Sequence, residues 1–178
     1  LRNRHPAIFQ SAVEAFPDCR DGEFVEVQSN DSTFLCIATL NRAASICARA
    51  VAFEQGDPLT LLREKINAAL ALRARLLPEI ASTAYRLINA EGDFLPGLIV
   101  DRYADTLVVQ LTTLGMDRIK PWLIEVLMEE TGLVHLYEKS TGTSRRKEGL
   151  ADASGWLHGQ ADDTFERSRL PRTPAAMR

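Results

Sequence analysis

Short apolar runs separated by polar turn residues fill the first third of the chain, and they predict strands over 23–29, 33–40 and 45–53. Ser29, Asn30, Asp31 and Ser32 supply the turn between the first two. Strands this short, joined by polar turns, predict a small barrel. The opening segment, bracketed by Pro6 and Pro17, carries Ile8, Phe9, Val13 and Phe16 and is expected to pack over it. The period then changes. Asp57 followed by Pro58 is a helix start, offering a side-chain oxygen to the free amides and a φ already suited to the first turn. Leu59, Leu62, Ile66, Ala69, Leu70 and Leu77 fall on one stripe at helical spacing, Arg63, Glu64 and Asn67 fall off it, and Pro78 ends the run.

A second module begins near Thr83. Its pattern predicts strands over 85–90, 98–102 and 107–111, the first followed by the turn-rich stretch 91–97. The last two are separated by four residues, a length that suits an antiparallel hairpin. Ile119, Trp122, Leu123, Val126 and Leu127 repeat as the apolar face of an amphipathic helix that Gly132 stops. A strand over 134–139 follows, with a short one near Trp156. The order is strand, strand, strand, helix, strand. Residues 160–178 hold Asp162, Asp163, Glu166, Arg167, Arg169 and Arg172 with few apolar anchors, which predicts a disordered tail.

With 46% apolar residues, 178 residues can form one domain or two small ones. No apolar run approaches the roughly 20 residues needed to cross a bilayer, and no secretory leader opens the chain. A cytoplasmic protein with no membrane partner is therefore expected. Leu1 in place of Met points to sequence before it. Cys19, Cys36 and Cys47 lack paired spacing, which argues against a disulfide framework or a zinc site. A net charge of −3 gives no overall attraction for nucleic acid, so such contacts would need a local patch.

Candidate chemistry is sparse. The glycine-rich strand–turn–helix that brings backbone close to a nucleotide-like ligand, G-x-G-x-x-G, does not occur, nor does a phosphate loop or a zinc-binding H-E-x-x-H. Gly142 to Gly149, the nearest imitation, is crowded by Arg145, Arg146 and Lys147 and is expected to be an extended basic segment. A cysteine nucleophile acts as its thiolate, but Cys36 and Cys47 sit in apolar strand patterns as small buried hydrophobes, and Cys19 falls in a loop. His5, His135 and His158 are not at ligand spacing. Glu91, Asp93, Asp101 and Asp105 could bind a metal, although turn chemistry accounts for acids beside Gly and Pro equally well.

The stretch Glu91-Gly-Asp-Phe-Leu-Pro-Gly-Leu-Ile-Val-Asp-Arg-Tyr103, with Tyr85-Arg-Leu-Ile-Asn89 before it, resembles large-subunit ribosomal RNA cytosine-5 methyltransferases that join a PUA domain to a Rossmann-type catalytic domain. Leu1-Arg-Asn-Arg-His-Pro-Ala-Ile-Phe9, Leu107-Val-Val-Gln-Leu111 and Arg145-Arg-Lys-Glu-Gly-Leu150 agree with it, and the likeness spans residues 1–159. Ala7 stands where the family favours an aromatic.

The resemblance implies an α+β chain: a PUA-like RNA-binding barrel over 1–54, a linking helix over 55–80 and a strand-rich α/β connector over 81–159, with the Rossmann-type catalytic domain absent. S-adenosylmethionine belongs to the full-length family, and no cofactor, catalytic or metal-binding residue is expected in this chain. As a fragment of such an enzyme, the chain is not expected to be active alone. Ribosomal RNA is the expected partner, with Arg2, Arg4, His5, Arg42 and Arg49 on phosphates or a folded RNA surface. The alternative is a non-catalytic scaffold that pairs with a partner protein or forms a homodimer through Trp122, Trp156 and the apolar residues near Phe94.

Overall fold

The computed structural model describes residues 5–77 and 84–160. Its first part is an antiparallel sheet of β1 (Ala7–Phe9), β2 (Phe24–Gln28), β3 (Phe34–Leu40) and β4 (Ile46–Ala52), in the order β1-β4-β3-β2. The opening segment does not simply lie over a barrel. It adds β1 as an edge strand, with Ile8 opposite Ala48, because Ile8 can be buried on the same face as Cys36, Ala38, Leu40 and Cys47. Among the described residues β1 and β2 are not paired, so the ladder stays open at that seam.

Helix α1 (Pro58–Leu76) starts as its sequence predicts. The Asp57 carboxylate accepts from the Thr60 amide at 2.9 Å and from the Thr60 hydroxyl at 2.8 Å, and the amide bond holds its pKa below the ordinary value. Leu62, Ile66 and Ala69 face inward. They share one core with Ile37, Val51 and Ala52 of the first sheet and with Leu87, Ile88, Leu98 and Leu107 of the second, so α1 is packed between the two sheets. Each buried leucine or isoleucine contributes about 1.5–3 kcal/mol.

The second sheet runs β5 (Ala84–Asn89), β6 (Leu98–Tyr103), β7 (Thr106–Leu111), β8 (His135–Ser140) and β9 (Ala153–His158), in that spatial order. Neighbours are antiparallel except β7 and β8, which are parallel and joined across α2 (Leu114–Arg118) and α3 (Lys120–Thr131). Leu123, Val126 and Leu127 are the buried face of α3, and Gly132 ends it in the left-handed conformation, φ 62°.

Here the expected fold class needs correction. The strand-strand-strand-helix-strand connector is in fact a five-stranded mixed sheet with two extra short helices, α2 and α4 (Thr143–Lys147). The parallel β7–helix–β8 crossover is the unit from which doubly wound α/β sheets are built. The hairpin expected of 98–102 and 107–111 is present as β6 and β7, whereas the parallel pairing of β7 with β8 was not foreseen. The segment 142–149 is likewise not extended: α4 has only five residues, too few for a helical period to show, and Arg145 within it is buried. No helix of the described residues is long and apolar enough to cross a membrane. The expected tail over 160–178 lies, apart from Gln160, outside the described residues.

Candidate functional site

Two sheets meeting over α1 leave a cleft of about 350 Å3, walled by His5, Ala50 and Phe53 on one side and by Lys65, Glu91 and Phe94 on others, with Arg49 at its edge. Beneath it a buried carboxylate ties the halves together. Glu148, just past α4, accepts from Arg49 Nη2 at 2.9 Å and Nε at 3.3 Å, and from Asn41 Nδ2 at 2.9 Å; the same Nδ2 reaches the Glu148 carbonyl at 3.0 Å. Asn41 and Arg49 belong to the first sheet and its loop, so one side chain pins α4 against both. Arg145 anchors α4 from the other side, donating to the Leu111 and Ala151 carbonyls and pairing with Asp117 at 2.9 Å. Asp117 in turn meets Lys120 at 3.2 Å, and Lys120 meets the buried Glu138 at 3.0 Å. The buried Glu148, Arg145 and Glu138 each have a partner of opposite sign.

Of the five residues expected to face RNA, Arg2 and Arg4 lie outside the described residues. His5 is exposed, its Nδ1 accepting from the Ala7 amide at 3.2 Å. Arg42 is held away from it by Asp21 at 2.6 Å, the Pro17 carbonyl at 2.6 Å and the Phe16 ring, 5.8 Å below its guanidinium. Arg49 is committed to Glu148. The structure therefore brings His5 and Arg49 to one cleft and leaves Arg42 in a separate cluster. A second, wider groove of about 1050 Å3 opens between the β1 segment and the 29–32 turn, and its charged lining of His5, Glu14 and Asp31 does not favour phosphate. Sequence reasoning missed Glu148, Asn41 and Lys65. Only a lone acid at the end of a basic run hinted at the first.

Two of the four acids weighed for metal binding are taken by arginines. Asp93 forms a two-bond pair with Arg73, 2.6 Å for each bond, and also accepts from the Asn89 amide; Asp101 pairs with Arg86 at 2.8 Å. No cluster of three or more potential metal ligands exists among the described residues.

The thiols are placed as expected, Cys36 and Cys47 buried in β3 and β4 and Cys19 half-exposed beside Arg42. Desolvation pushes the Cys36 thiol up to about 11 and raises that of Cys47. At pH 8 a thiol reagent is expected to label Cys19 quickly and the other two only on unfolding; fast labelling of all three would refute this placement. Cys36 ionises near 9.0 when unfolded and near 11 when folded, so its contribution is intact below pH 9 and is lost as pH rises through that window.

Comparison with known proteins gives first a class. Residues 1–53 match the PUA-like domain family, and the N-terminal sheet is a PUA-like domain. Particular relatives follow. The chain is homologous to ribosomal RNA large subunit methyltransferase I: 37% identical to that of Aliivibrio fischeri over 163 residues and 38% to that of Vibrio cholerae over 165, in each case covering 90% of this chain and 41% of the relative. The chain thus spans about two fifths of the length of the curated relatives it matches. Among solved structures it resembles a chain from Streptococcus mutans assigned as a SAM-dependent methyltransferase (TM-score 0.70, 19% identity, 88% of this chain and 39% of that one). It also resembles a protein assigned as a methyltransferase and complexed with SAH (TM-score 0.73, 19% identity, 91% and 40%).

These likenesses overturn three expectations. The expected fold class is corrected, because the fold of those two chains runs through both sheets and about nine tenths of this chain. A chain that only docks and connects, or only scaffolds, is withdrawn with it. So is the exclusion of a methyl donor, since one protein of this fold is complexed with SAH. The sequence reading relied on one glycine motif, and a missing motif does not settle a fold. In the described residues the strand–turn–helix order occurs at β4–Gly56–α1, where Leu61 packs against the glycine, at β8–Gly142–α4, where the Gly142 amide is taken by Asp152 at 3.3 Å, and at β7–α2, where Gly115 abuts Thr39. None of these turns shows a glycine-lined cradle fitted to the donor.

Proposed function

We propose that this chain serves S-adenosylmethionine-dependent methylation of large-subunit ribosomal RNA at carbon 5 of a cytosine, in the cytoplasm, with its PUA-like domain docking the RNA. The observation that carries this reading is the 37–38% identity to ribosomal RNA large subunit methyltransferase I, sustained over 90% of the chain. The domain division at 1–54, 55–80 and 81–159 belongs to the same proposal. RNA contacts fall to Arg2, Arg4, His5, Arg42 and Arg49. Arg42 and Arg49 already hold protein carboxylates, so their share is weaker than that of a free cation.

Filter binding of the chain to ribosomal RNA fragments tests the reading. With about three phosphate contacts, affinity should fall roughly twentyfold between about 50 and 200 mM salt. Binding that ignores salt, or no binding at low salt, would refute RNA docking. A calorimetric titration with S-adenosylmethionine separately tests whether the chain takes the donor by itself.

A further inference from the structure

The helices of the fold gather on one face of the second sheet. Leu98 and Val100 of β6, Leu107, Val109 and Leu111 of β7 and Leu136 of β8 point into the core that residues of α1, α2 and α3 also fill. Alternation along the strands sends Asp101, Tyr103, Val108, Gln110, Tyr137 and Lys139 to the other face. There Asp101, Val108 and Tyr137 lie in register across β6, β7 and β8, and Trp156 of β9 continues the row, its ring 5.2 Å from that of Tyr137. None of the large apolar side chains exposed among the described residues belongs to this face, so it offers little to an apolar partner.

A groove of about 240 Å3 opens on it, lined by Tyr103, Val108, Gln110 and Lys139. Arg86 and Asp101 also line it, but they neutralise each other at 2.8 Å. The Gln110 side-chain amide makes no hydrogen bond to a described residue and Lys139 makes no ion pair with one, so a ring, an unused amide and an uncompensated cation share one groove. From there the chain passes through Thr141 into α4, and positions 139–147 hold Lys139, Arg145, Arg146 and Lys147 without an acid. Arg145 is buried, Arg146 meets Asp152 at 2.9 Å on the surface, and Lys147 is exposed with no ion pair to a described residue. A chain of net charge −3 therefore carries, beside this groove, the local basic patch that nucleic acid requires.

We infer that this face carries a single-stranded segment of RNA, with a base lying on Tyr103, its edge on Gln110, and the phosphates following Lys139 to Lys147. The positive charge selects a polyanion over a protein, whose interface core is depleted of charge. The ring selects a single strand, because duplex RNA keeps its bases stacked. Gln110 both donates and accepts and so can pair with any base, and no base preference is expected. The inference adds a second RNA contact to docking by the PUA-like domain and rests on that reading, though the two can fail separately.

The test titrates the whole chain with fluorescein-labelled oligouridylate, alone and annealed to oligoadenylate, in parallel with ribosomal RNA fragments, and follows the size of the free protein by sedimentation. Tyr103→Leu is expected to weaken oligouridylate binding roughly tenfold, the loss of one stacked base, and to leave duplex binding unchanged. Lys139→Gln combined with Lys147→Gln breaks no ion pair, so the melting temperature should hold while the slope of log affinity against log salt for oligouridylate shrinks by about 1.4, the share of two phosphates on a single strand. The lysine pair decides by itself if Tyr103→Leu does not fold. Unchanged oligouridylate affinity in either folded variant, or a salt slope that the lysine pair leaves as it was, would overturn the inference. So would self-association of the native protein that Tyr103→Leu abolishes, since the face would then hold a second copy. If ribosomal RNA binds in a salt-sensitive way while these variants change nothing, docking by the PUA-like domain survives that failure. If no RNA binds at all, both readings fall.

Discussion

Glu148→Ala is expected to destabilise the protein by about 3 kcal/mol, near the lower end for removing one partner of a buried ion pair because Arg49 keeps some contact with water. The loss has two parts. Arg49 is left as an uncompensated cation at the junction, and the Asn41 amide keeps only the backbone carbonyl of residue 148. Both tryptophans, Trp122 and Trp156, follow residue 84, so tryptophan fluorescence follows the second sheet, whereas far-ultraviolet dichroism follows the whole chain. In urea the two signals should coincide for the native sequence and separate for Glu148→Ala, as the sheets cease to unfold as one unit. A midpoint unchanged from the native protein would show that the carboxylate is dispensable.

A loss of similar size is expected for Gly115→Ala, for a different reason. Gly115 opens α2 directly against β3, and a Cβ placed on it would overlap Thr39 Cβ, Cγ2 and Oγ1 together. Thr39 is itself buried, so neither element can yield without moving backbone. Overpacking of this kind costs about 3 kcal/mol. Because the clash involves three Thr39 atoms, compensation should be graded. Thr39→Ala removes two of them and should restore part of the stability, while Thr39→Gly removes all three and should restore more, less about 1 kcal/mol for a glycine in a strand. A double-mutant cycle by urea denaturation reads this directly. Strict additivity would mean that the two residues do not touch.

What the sequence revealed follows from how local each signal is. Asp57-Pro58 announced α1 because the cap and its amide are three residues apart, and Gly132 announced the end of α3 because the left-handed turn is its own. Three strands of the first sheet, β2, β3 and β4, were legible from their bounding turns, whereas β1 was not. The parallel β7–β8 pair was not, since residues as far apart in the chain as Thr106 and His135 leave no local mark of their pairing. Glu148 was invisible for the same reason: its partners Asn41 and Arg49 are 107 and 99 positions away. His5 and Arg49 were singled out as RNA contacts and do share a cleft, which Phe94, noticed only as a surface apolar residue, also lines.

The distance along the chain between Asn41 and Glu148 has a kinetic consequence. Loop closure over a hundred residues is slow and is repaid only after both ends are already shaped, so the docking of α4 onto the first sheet should come after the rate-limiting barrier to folding. Changes at that junction would then accelerate unfolding and leave the refolding rate almost untouched. The lifetime of the assembled protein, rather than its speed of formation, is what the buried carboxylate governs.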